Sequence, residues 1–307
     1  MILRRTAVST FALLASVPAM AEVVELEPII VTQETGDAFF GKSVSLDTGT
    51  VAKTGDAIAE TPRSVTVVTA QELAERGAQN VEQALQYSAG VVGGQWGLDS
   101  RANWYLVRGF DASTLHDGLP ARYGFYNDTK PEPFLLNSVE VLKGPSSGIY
   151  GSGAVGGVVN TTSKTAAQEA ENLFQVQVGS HDRKQAAVDV SGDLNASGTL
   201  RYRFVGLLRD AETQVDHSQD DTVVLAPSIT WRPSDDTELT ILANYQKSDG
   251  SPLIQFAAMA GTLLPATGLG NGDYLPNSLV VGEPGFETFN TEQRAITAMF
   301  KHRFNAV

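Results

Sequence analysis

The sequence predicts a small mixed α/β unit followed by antiparallel β-hairpins that span a membrane. Three observations lead to this fold class. Short apolar segments with helix-capping residues come first, and segments of about 8–10 residues with apolar–polar alternation come later. A glycine-rich stretch, Val139 to Lys164, joins the two parts. Its six glycines between Gly144 and Gly157 cost backbone entropy, so the chain must need tight turns or close backbone approach there.

Composition excludes several classes of function. The 307 residues include no cysteine, which excludes disulfides, zinc ribbons and thiol catalysis. The net charge of −13 argues against non-specific nucleic-acid binding, and no apolar run reaches the ~20 residues of a transmembrane helix. No protein metal site is predicted, because the four histidines are scattered without ligand spacing: His116, His181, His217 and His302.

Residues 1–21 have the features of a secretory signal peptide. Arg4 and Arg5 form a positive start, Thr6 to Val17 is a short uncharged apolar stretch, and Ala19-Met20-Ala21 is a small-residue cleavage site. The alternative is an N-terminal core helix. Export combined with the later hairpins predicts the outer membrane of a two-membrane bacterium.

Residues 22–55 contain a short β-prone patch, Ile29, Ile30, Val31 and Thr32, ahead of a polar stretch rich in Gly, Thr and Ser. The patch has two interpretations. It is an edge strand of the following domain, or an extended peptide that adds to an open sheet edge of another protein. Its isolated position favours the second.

Residues 56–165 form the predicted α/β unit, with about four short strands and two or three short helices. Ser64 to Thr69 alternates as a strand, and Thr69 to Glu72 fits a capping box that opens a helix. Asn80 caps a second helix. Further elements are predicted as strands at Trp104–Arg108 and Ser138–Leu142, as a strand end plus turn at Leu115–Gly118, and as a helical turn at Pro131–Leu136.

Three motifs in this unit match enzyme signatures without their required context. Gly144 to Gly148 fits the G-x-S-x-G nucleophile elbow, but Ile149 to Gly153 is a poor helix start and no acid–histidine pair follows. Gly151 to Gly156 fits the dinucleotide motif, yet a strand-like segment follows instead of a helix. Lys143 precedes the glycines, whereas a phosphate-binding loop needs its lysine at the end.

The order of several motifs resembles the plug domain of TonB-dependent outer-membrane receptors. The resemblance covers about Ala57 to Lys164, and the Glu60 to Val65 and Thr162 to Lys164 segments are similar to the siderophore-receptor branch. The motifs, in order, are Val107-Arg108-Gly109-Phe110, Asp117-Gly118-Leu119-Pro120, Val139-Glu140-Val141-Leu142-Lys143-Gly144-Pro145, Tyr150-Gly151 and Gly156-Gly157-Val158-Val159-Asn160.

Residues 166–307 alternate as the hairpins of a transmembrane barrel. In the segment from Leu200 to Arg209, Arg201, Arg203 and Arg209 share one face, which must point inward because arginine on the lipid face costs about 2–4 kcal/mol near the midplane. A soluble β-sandwich shares the alternation. Loop lengths favour the barrel, with short turns at one end and long connections at the other. An aromatic girdle is expected near the short turns, from Tyr202, Trp231 and Phe304.

The resemblance implies further properties of the chain. Ile29 to Thr32 is similar to the TonB box, and the short spacing from the cleavage site leaves no room for the extra periplasmic signalling domain of some relatives. Plugged barrels have about 22 strands, so the chain is expected to stop at about the sixth strand. The implied function is active import of a ferric siderophore, energised by TonB of the TonB–ExbB–ExbD complex, with outer-membrane lipid as surroundings.

The resemblance also implies which residues carry the function. Gly124 to Asp128 resembles the apical loop of hydroxamate-siderophore receptors, so the candidate cargo contacts are Arg101, Tyr123, Phe125 and Tyr126. Phe125 and Tyr126 have the alternative of packing inside the plug. No catalytic residue or cofactor is predicted, since iron arrives with the siderophore. Structural motif roles are expected for Arg108, Gly109, Glu140, Lys143, Gly144, Gly151, Gly156 and Gly157.

Three other functions stay open. The first is a different cargo, namely haem, cobalamin or a glycan, on the same machinery. The second is a passive porin, which would need neither plug nor box. The third is a periplasmic serine hydrolase that uses Ser146.

Overall fold

The computed structural model describes residues 51–53, 58–97, 99–121, 129–168, 170, 172–251, 256–269 and 271–304. The first unit contains strands β1 Ser64–Thr69, β2 Val91–Gly93, β3 Tyr105–Val107, β4 Phe110–Asp111, β5 Ser113–His116, β6 Leu119–Pro120, β7 Leu136–Lys143 and β8 Gly157–Ser163. Its helices are α1 Ala70–Glu75, α2 Val81–Leu85 and α3 Ser147–Tyr150. The later strands are β9 Leu173–Val178, β10 Lys184–Asp193, β11 Leu200–Asp210, β12 Asp220–Ser234, β13 Thr237–Gly250 and β14 Thr291–His302. Short 3-10 helices lie at Ile58–Glu60, Pro133–Leu135 and Asn271–Asp273.

Two helix starts follow the predicted caps. The Thr69 hydroxyl accepts a hydrogen bond from the Glu72 amide at 3.2 Å, and the Asn80 side chain accepts one from the Gln83 amide at 2.8 Å. Each bond satisfies one of the amides that a helix start leaves without a partner. After α1 the chain turns at Gly77, whose φ of +61° lies in the left-handed region that favours glycine. Local sequence therefore determines these boundaries.

The plug contains two sheets. The larger one has the strand order β1-β7-β8-β5-β6, with β7 antiparallel to both β1 and β8. Strand β5 pairs with β8 in parallel, which joins segments more than forty residues apart. The smaller sheet has the order β2-β3-β4. Strand β1 is an edge strand of the larger sheet, so its other side has no ladder partner in the part of the chain that is described.

The apolar core of the plug lies between the two sheets and the first two helices. Side chains from β1, α1, α2, β2, β3, β7 and β8 contribute to one buried cluster. Val107, Val139, Val141 and Val159 are fully buried in it. Burial of such side chains stabilises a fold by about 1.5–3 kcal/mol each, and this cluster gives the plug a core of its own.

The later strands form one six-stranded antiparallel sheet, the wall sheet, in the order β14-β13-β12-β11-β10-β9. Each strand pairs with its sequence neighbour, as in an up-and-down meander. Residues 194–199 and 235–236 make short turns at one end. Residues 211–219 and 251–290 make long connections at the other, which is called the apical end below. The alternation and loop lengths predicted from the sequence are confirmed.

The two faces of the wall sheet differ as predicted. Arg203 and Arg209 lie on the inner face and are buried against the plug. On the outer face, Phe174, Val176 and Ile296 are exposed in the isolated chain. Near the short turns the exposed outer side chains include Tyr202, Trp231 and Phe304. Phe300 is exposed on the same face, because it is opposite Leu239, which in turn is opposite Trp231.

The plug is seated on the inner face through a small apolar contact. Leu135, in the 3-10 helix Pro133–Leu135, is buried with Val205, Leu207 and other inner-face residues of the wall sheet. Phe134 packs against the same cluster, and the Lys164 ammonium lies 4.4 Å from the Phe134 ring centroid. This contact orients the plug on the wall without an apolar interface of large area.

Ion pairs surround the apolar contact. Asp189 on β10 accepts two hydrogen bonds from the Arg203 guanidinium, both at 2.8 Å, and lies 3.0 Å from Lys164 Nζ. Arg203 also donates to the Thr165 carbonyl oxygen, and the Ser228 hydroxyl accepts from the Ala166 amide at 2.9 Å. The chain segment that leaves the plug is therefore bound to the wall over three consecutive residues.

Two sequence predictions about the plug were wrong in detail. Four strands were expected, but eight are present, because strands of two to four residues are too short to give a periodic signal. No helix was expected after Gly148, yet Ser147–Tyr150 forms one helical turn. The Ser146 carbonyl accepts the amides of Ile149 and Tyr150, and Gly151, at φ +69°, ends the turn. Among the described residues, no helix is both long and apolar enough to cross a bilayer.

Candidate functional site

A polar cleft of about 420 Å³ lies between the plug and the apical end of the wall sheet. The start of α2 and the segments around Asp99 and Lys130 line its plug side. The wall side is lined by Arg183, Arg209 and Asp220, together with residues of the long connections. The cleft thus lies where plug loops meet the connections that the resemblance places outside the cell.

Asp99 is the centre of a buried hydrogen-bond cluster next to this cleft. Its carboxylate accepts two bonds from the Arg101 guanidinium, each 3.0 Å long, and one from Trp104 Nε1 at 2.7 Å. Burial by itself would raise the pKa of Asp99. The bonds from Arg101 and Trp104 outweigh burial and hold the pKa below its ordinary value. Asp99 is therefore ionised and paired.

Lys130 lines the cleft, and Glu82 lies close enough for the two charges to interact. The Lys130 ammonium donates to the Asp99 backbone oxygen at 2.5 Å, and burial lowers the Lys130 pKa although Glu82 and Asp99 oppose the change. Burial raises the Glu82 pKa, and its carboxyl group accepts a hydrogen bond from the Trp104 amide. Opposite charges lie close together, which limits the cost of burying each one.

Three contacts fasten this part of the plug to the wall, and one of them uses Arg209, which also binds Asp220 within the wall. Arg209 donates to Glu132 at 2.9 Å and to Asp220 at 3.0 Å, and all three are lining residues of the cleft. Two further bonds use backbone oxygens. The Ser100 hydroxyl donates to the Ser251 oxygen at 2.7 Å, and the Gln246 amide group donates to the Lys130 oxygen at 2.6 Å. The plug loops on both sides of the cleft are held at fixed positions.

Comparison with known proteins gives the family. Residues 57–158 match the family model described as TonB-dependent Receptor Plug Domain. The chain belongs to the TonB-dependent receptors. Membership of this family, with the strands of the wall sheet, places the protein in the bacterial outer membrane.

Individual relatives support the assignment. The chain is 33% identical over 263 residues to the ferrichrome outer membrane transporter/phage receptor of Escherichia coli K12, and 29% identical over 252 residues to the ferrioxamine B receptor of Salmonella typhimurium SL1344. These alignments cover 84% and 80% of this chain but only 34% and 35% of the relatives. The chain thus spans about a third of the length of these relatives.

Solved structures have the same fold. The ferripyoverdine receptor of the outer membrane of Pseudomonas aeruginosa, bound to ferripyoverdine, aligns with a TM-score of 0.70 at 26% identity. That alignment covers 85% of this chain and 36% of the receptor. The ferric-catecholate import receptor Fiu of E. coli K12 aligns with a TM-score of 0.72 at 21% identity, covering 86% of this chain and 38% of that one, which shows the fold alone.

The predicted cargo contacts are only partly described. Tyr123, Phe125 and Tyr126 lie outside the described residues, so their role stays a prediction. Arg101 is described. Its guanidinium is held by Asp99 within the plug and is about four-fifths buried. It supports the loop beside the cleft, and a direct role in cargo binding stays a prediction.

The predicted TonB box, Ile29, Ile30, Val31 and Thr32, also lies outside the described residues. The segment that follows it is described at residues 51–53. Val51 is fully buried, and its amide donates to Glu140 at 2.8 Å. The Tyr150 hydroxyl donates to the Val51 oxygen at 2.7 Å. Val51, which lies between the predicted box and β1, is therefore attached to the plug interior.

The predicted plug motifs take defined positions. Glu140 is buried and accepts bonds from Val51, Ser138 and Asn160. Burial, and then the nearby positive charge of Arg108, lower the pKa of Lys143. Arg108 and Lys143 are thus neighbours of like charge, and their structural roles in the plug stay predictions.

The motif glycines differ in whether their surroundings leave room for a side chain. A Cβ at Gly156 would collide with the Val107 oxygen, and one at Gly157 would collide with the Leu142 oxygen. Gly109, Gly144 and Gly151 have positive φ angles and more open surroundings. The close approach of β8 to its neighbours therefore requires glycine at the two adjacent positions 156 and 157.

Ser146 does not have the surroundings of a nucleophile. Its hydroxyl donates to the Gly144 oxygen at 3.1 Å and accepts from Arg63 at 3.5 Å. The imidazole of His116 is bonded to Thr161 and Ser163 instead. Although one helical turn follows the motif, this geometry provides no base for Ser146.

Sequence reasoning missed Glu82, Asp99 and Lys130. Glu82 was concealed within an ordinary amphipathic helix pattern, and Asp99 and Lys130 lie in loops 31 residues apart. Lys130 closely follows the predicted apical loop, which was the one local signal available. Their pairing depends on tertiary structure, which no periodic pattern reports.

Proposed function

We propose that the complete protein imports a ferric siderophore, of hydroxamate type, across the bacterial outer membrane with energy from TonB. It binds and transports its cargo and catalyses no reaction. Iron is the centre of the cargo and not a resident cofactor. The proposed partners are the ferric siderophore and TonB of the TonB–ExbB–ExbD complex.

The observation that carries the proposal is the plug seated on the wall sheet, with a polar cleft between the two at the apical end. A plug of this kind blocks passive diffusion, so a passive pore does not explain it. The cleft leaves a place for a ligand to contact both plug loops and wall connections. Binding at an apical cleft and blockage below it are the two features that an energised importer requires.

The relatives support the choice of cargo. The two relatives described above are named for ferrichrome and ferrioxamine B. Both compounds bind iron through hydroxamate groups. Haem, cobalamin or a glycan remains an alternative cargo for the same machinery. The serine-hydrolase alternative is disfavoured by the contacts of Ser146.

The plug structure supports a mechanical role for the leading segment. A pull on the predicted TonB box reaches residues 51–53 and then β1. The first is held by hydrogen bonds to Glu140 and Tyr150, and the second is an edge strand that pairs with β7 in the larger sheet. Detachment of this side would open a path beside β7 while the rest of the plug stays on the wall.

The test is an uptake assay with the full-length gene in an iron-starved strain that lacks its own hydroxamate receptors. Radiolabelled ferrichrome and ferrioxamine B are supplied to cells with the wild-type receptor and with Ile30→Pro. Proline removes a backbone donor and prevents strand pairing with TonB. We expect uptake with the wild type and loss of uptake with normal cell-surface binding in the variant. Uptake that persists in the variant would contradict energised import. Growth rescue by haem or cobalamin alone would show that the cargo is not a siderophore.

A further inference from the structure

Trp96 lies at the tip of a tight turn in the loop between β2 and β3. Gly94 and Gly97 have φ angles of +69° and +79°, in the region that favours glycine, and the Gly97 amide donates to the Gly94 oxygen at 2.9 Å. The Gly94 amide in turn donates to the Trp104 oxygen at 2.8 Å. The backbone around Trp96 is thus fixed from both sides, yet its side chain is 65% exposed.

The turn belongs to the apical end of the plug. The same loop contains Asp99 and Ser100, which line the cleft, and Ser100 contacts Ser251, the first residue after β13 at its apical end. The other end of the β2–β3 hairpin points away, since Gly90 and Arg108 meet there and Arg108 lies next to Gly144. Trp96 is therefore at the apical end of the plug, in the loop whose residues Asp99 and Ser100 line the cleft.

The charges of the cleft restrict what a ligand at this position can be. Each described lysine and arginine that lines the cleft faces a carboxylate: Lys130 is near Glu82 and Asp99, and Arg183 and Arg209 are near Asp220. Arg101, beside the cleft, is bound to Asp99. Positive charge that is already neutralised offers little attraction to an anionic chelate. An apolar, uncharged or cationic surface suits an exposed indole.

We propose that Trp96 is a cargo-contact residue whose indole packs against a ferric chelate that carries no net negative charge. This inference rests on the proposed function and specifies it. Ferric hydroxamates such as uncharged ferrichrome and cationic ferrioxamine B fit the site, whereas strongly anionic tris-catecholates do not. The glycine-flanked turn fixes the backbone that carries the ring before the cargo arrives, so little backbone entropy is lost on binding.

The chain offers matched controls, because its three tryptophans occupy different surroundings. Trp104 is buried in the plug, and Trp231 is on the outer face of the wall sheet near the short turns. Trp231→Phe is therefore the control for loss of an exposed indole away from the cleft. Trp96→Phe keeps an aromatic ring, and Trp96→Ala removes it.

The experiment measures Kd values of the purified full-length receptor for ferrichrome, ferrioxamine B and ferric enterobactin, together with tryptophan quenching on binding. Wild type is expected to bind the two hydroxamates more tightly than ferric enterobactin. Trp96→Ala should weaken hydroxamate binding about 10- to 100-fold, the effect of a lost aromatic contact, and Trp96→Phe should weaken it about 3-fold. The quenching that accompanies ferrichrome binding should decrease in Trp96→Phe and stay unchanged in Trp231→Phe.

The outcomes separate the two levels of the claim. A wild-type receptor that binds no ferric chelate would overturn the proposed function and this inference with it. Normal hydroxamate binding by Trp96→Ala would overturn the role of Trp96 and leave import intact. Tighter binding of ferric enterobactin than of both hydroxamates would overturn the charge selection. If Trp96→Ala does not reach the membrane, quenching decides: unchanged quenching in Trp96→Phe overturns the contact.

Discussion

The two ends of the plug are attached by different chemistry. Where the chain leaves the plug, Lys164, Asp189 and Arg203 form a buried ionic cluster on the wall sheet. Where the chain approaches the plug, Val51 is held by hydrogen bonds from Tyr150 and to Glu140, all within the plug. The exit is fastened to the wall, while the described part of the leading segment, residues 51–53, contacts Glu140 and Tyr150 of the plug itself.

This difference indicates which side of the plug moves. Leaving a buried hydrogen-bonding group without its partner costs about 1–3 kcal/mol, whereas removing one member of a buried ion pair costs about 3–5 kcal/mol. A pull from the N-terminal side therefore meets the weaker attachment first. The ionic cluster keeps the plug on the wall, so a detached segment has a fixed point to which it returns.

Among the substitutions that test this comparison, loss of Arg203 should have the largest effect. We expect Arg203→Ala to lower the free energy of unfolding by about 3 kcal/mol, because Asp189 stays buried and loses one of the two cations with which it is paired, Arg203 and Lys164. Arg201→Ala on the same strand is the control, since its partner Asp193 is more than half exposed and the pair is worth about 0–1 kcal/mol. Urea unfolding in detergent measures both. Equal effects of the two variants would contradict the ionic anchor.

Loss of Glu140 should act on the other end. In Glu140→Ala the Val51 amide, the Ser138 hydroxyl and the Asn160 amide group lose an acceptor in the interior, which costs about 1–3 kcal/mol. Trypsin cleavage after Lys53 should become about 10-fold faster or more, while cleavage after Lys164 stays slow. Glu140→Gln keeps one acceptor oxygen, so its cleavage rate after Lys53 should lie between the rates of wild type and Glu140→Ala. A uniform increase at both lysines would show that Glu140 supports the whole plug instead.

A smaller effect is expected from Tyr150→Phe. This change removes the hydroxyl that donates to the Val51 oxygen and keeps the ring that Lys53 contacts. One neutral bond corresponds to an increase of about 3-fold in the cleavage rate after Lys53. The rate of a Tyr87→Phe variant, whose ring is exposed at 78%, provides the baseline. Equal cleavage rates after Lys53 in the two variants would show that, of these two contacts, the bond to Glu140 alone holds residues 51–53 in place.

The smallest effect is a pH dependence at the exit. Burial lowers the pKa of Lys164 from 10.5, although Asp189 opposes the change. At pH values just below 10.5, Lys164 is therefore protonated more often in the unfolded chain than in the folded one. The contribution of Lys164 to stability thus rises with pH in this range. The difference in unfolding free energy between wild type and Lys164→Met should shift in favour of the wild type as pH rises toward 10.5. A shift in the opposite direction would show that the ion pair dominates burial.

The sequence predicted the features that depend on local pattern. Strand β1, the caps at Thr69 and Asn80, and the inward arginines of β11 follow from spacing, capping chemistry and the cost of charge in lipid. The parallel pairing of β5 with β8 and the acceptors around Glu140 do not. They join segments that are distant along the chain, and a single sequence carries no signal of such contacts.

The glycine-rich stretch shows the same division. From the sequence, every glycine between 144 and 157 had the same interpretation. The structure separates Gly156 and Gly157, where a Cβ meets backbone oxygens, from Gly151, which needs only its left-handed φ. Likewise, the helical turn Ser147–Tyr150 forms from residues with modest helix propensity, because its neighbours in the plug hold it.

The measurement that tests the central claim most directly uses the absence of cysteine from this chain. Val65 on β1 and Leu142 on β7 are opposite each other in the register, as are Ser138 and Thr162 on β7 and β8. Antiparallel partners have the separation that a disulfide needs. Two full-length receptors would carry one cysteine pair each, and ferrichrome uptake would be compared before and after reduction. If the leading side detaches during import, the oxidised Val65→Cys/Leu142→Cys receptor binds ferrichrome but transports none until reduced, while the oxidised Ser138→Cys/Thr162→Cys receptor transports normally. Normal uptake by the oxidised Val65→Cys/Leu142→Cys receptor would contradict the account.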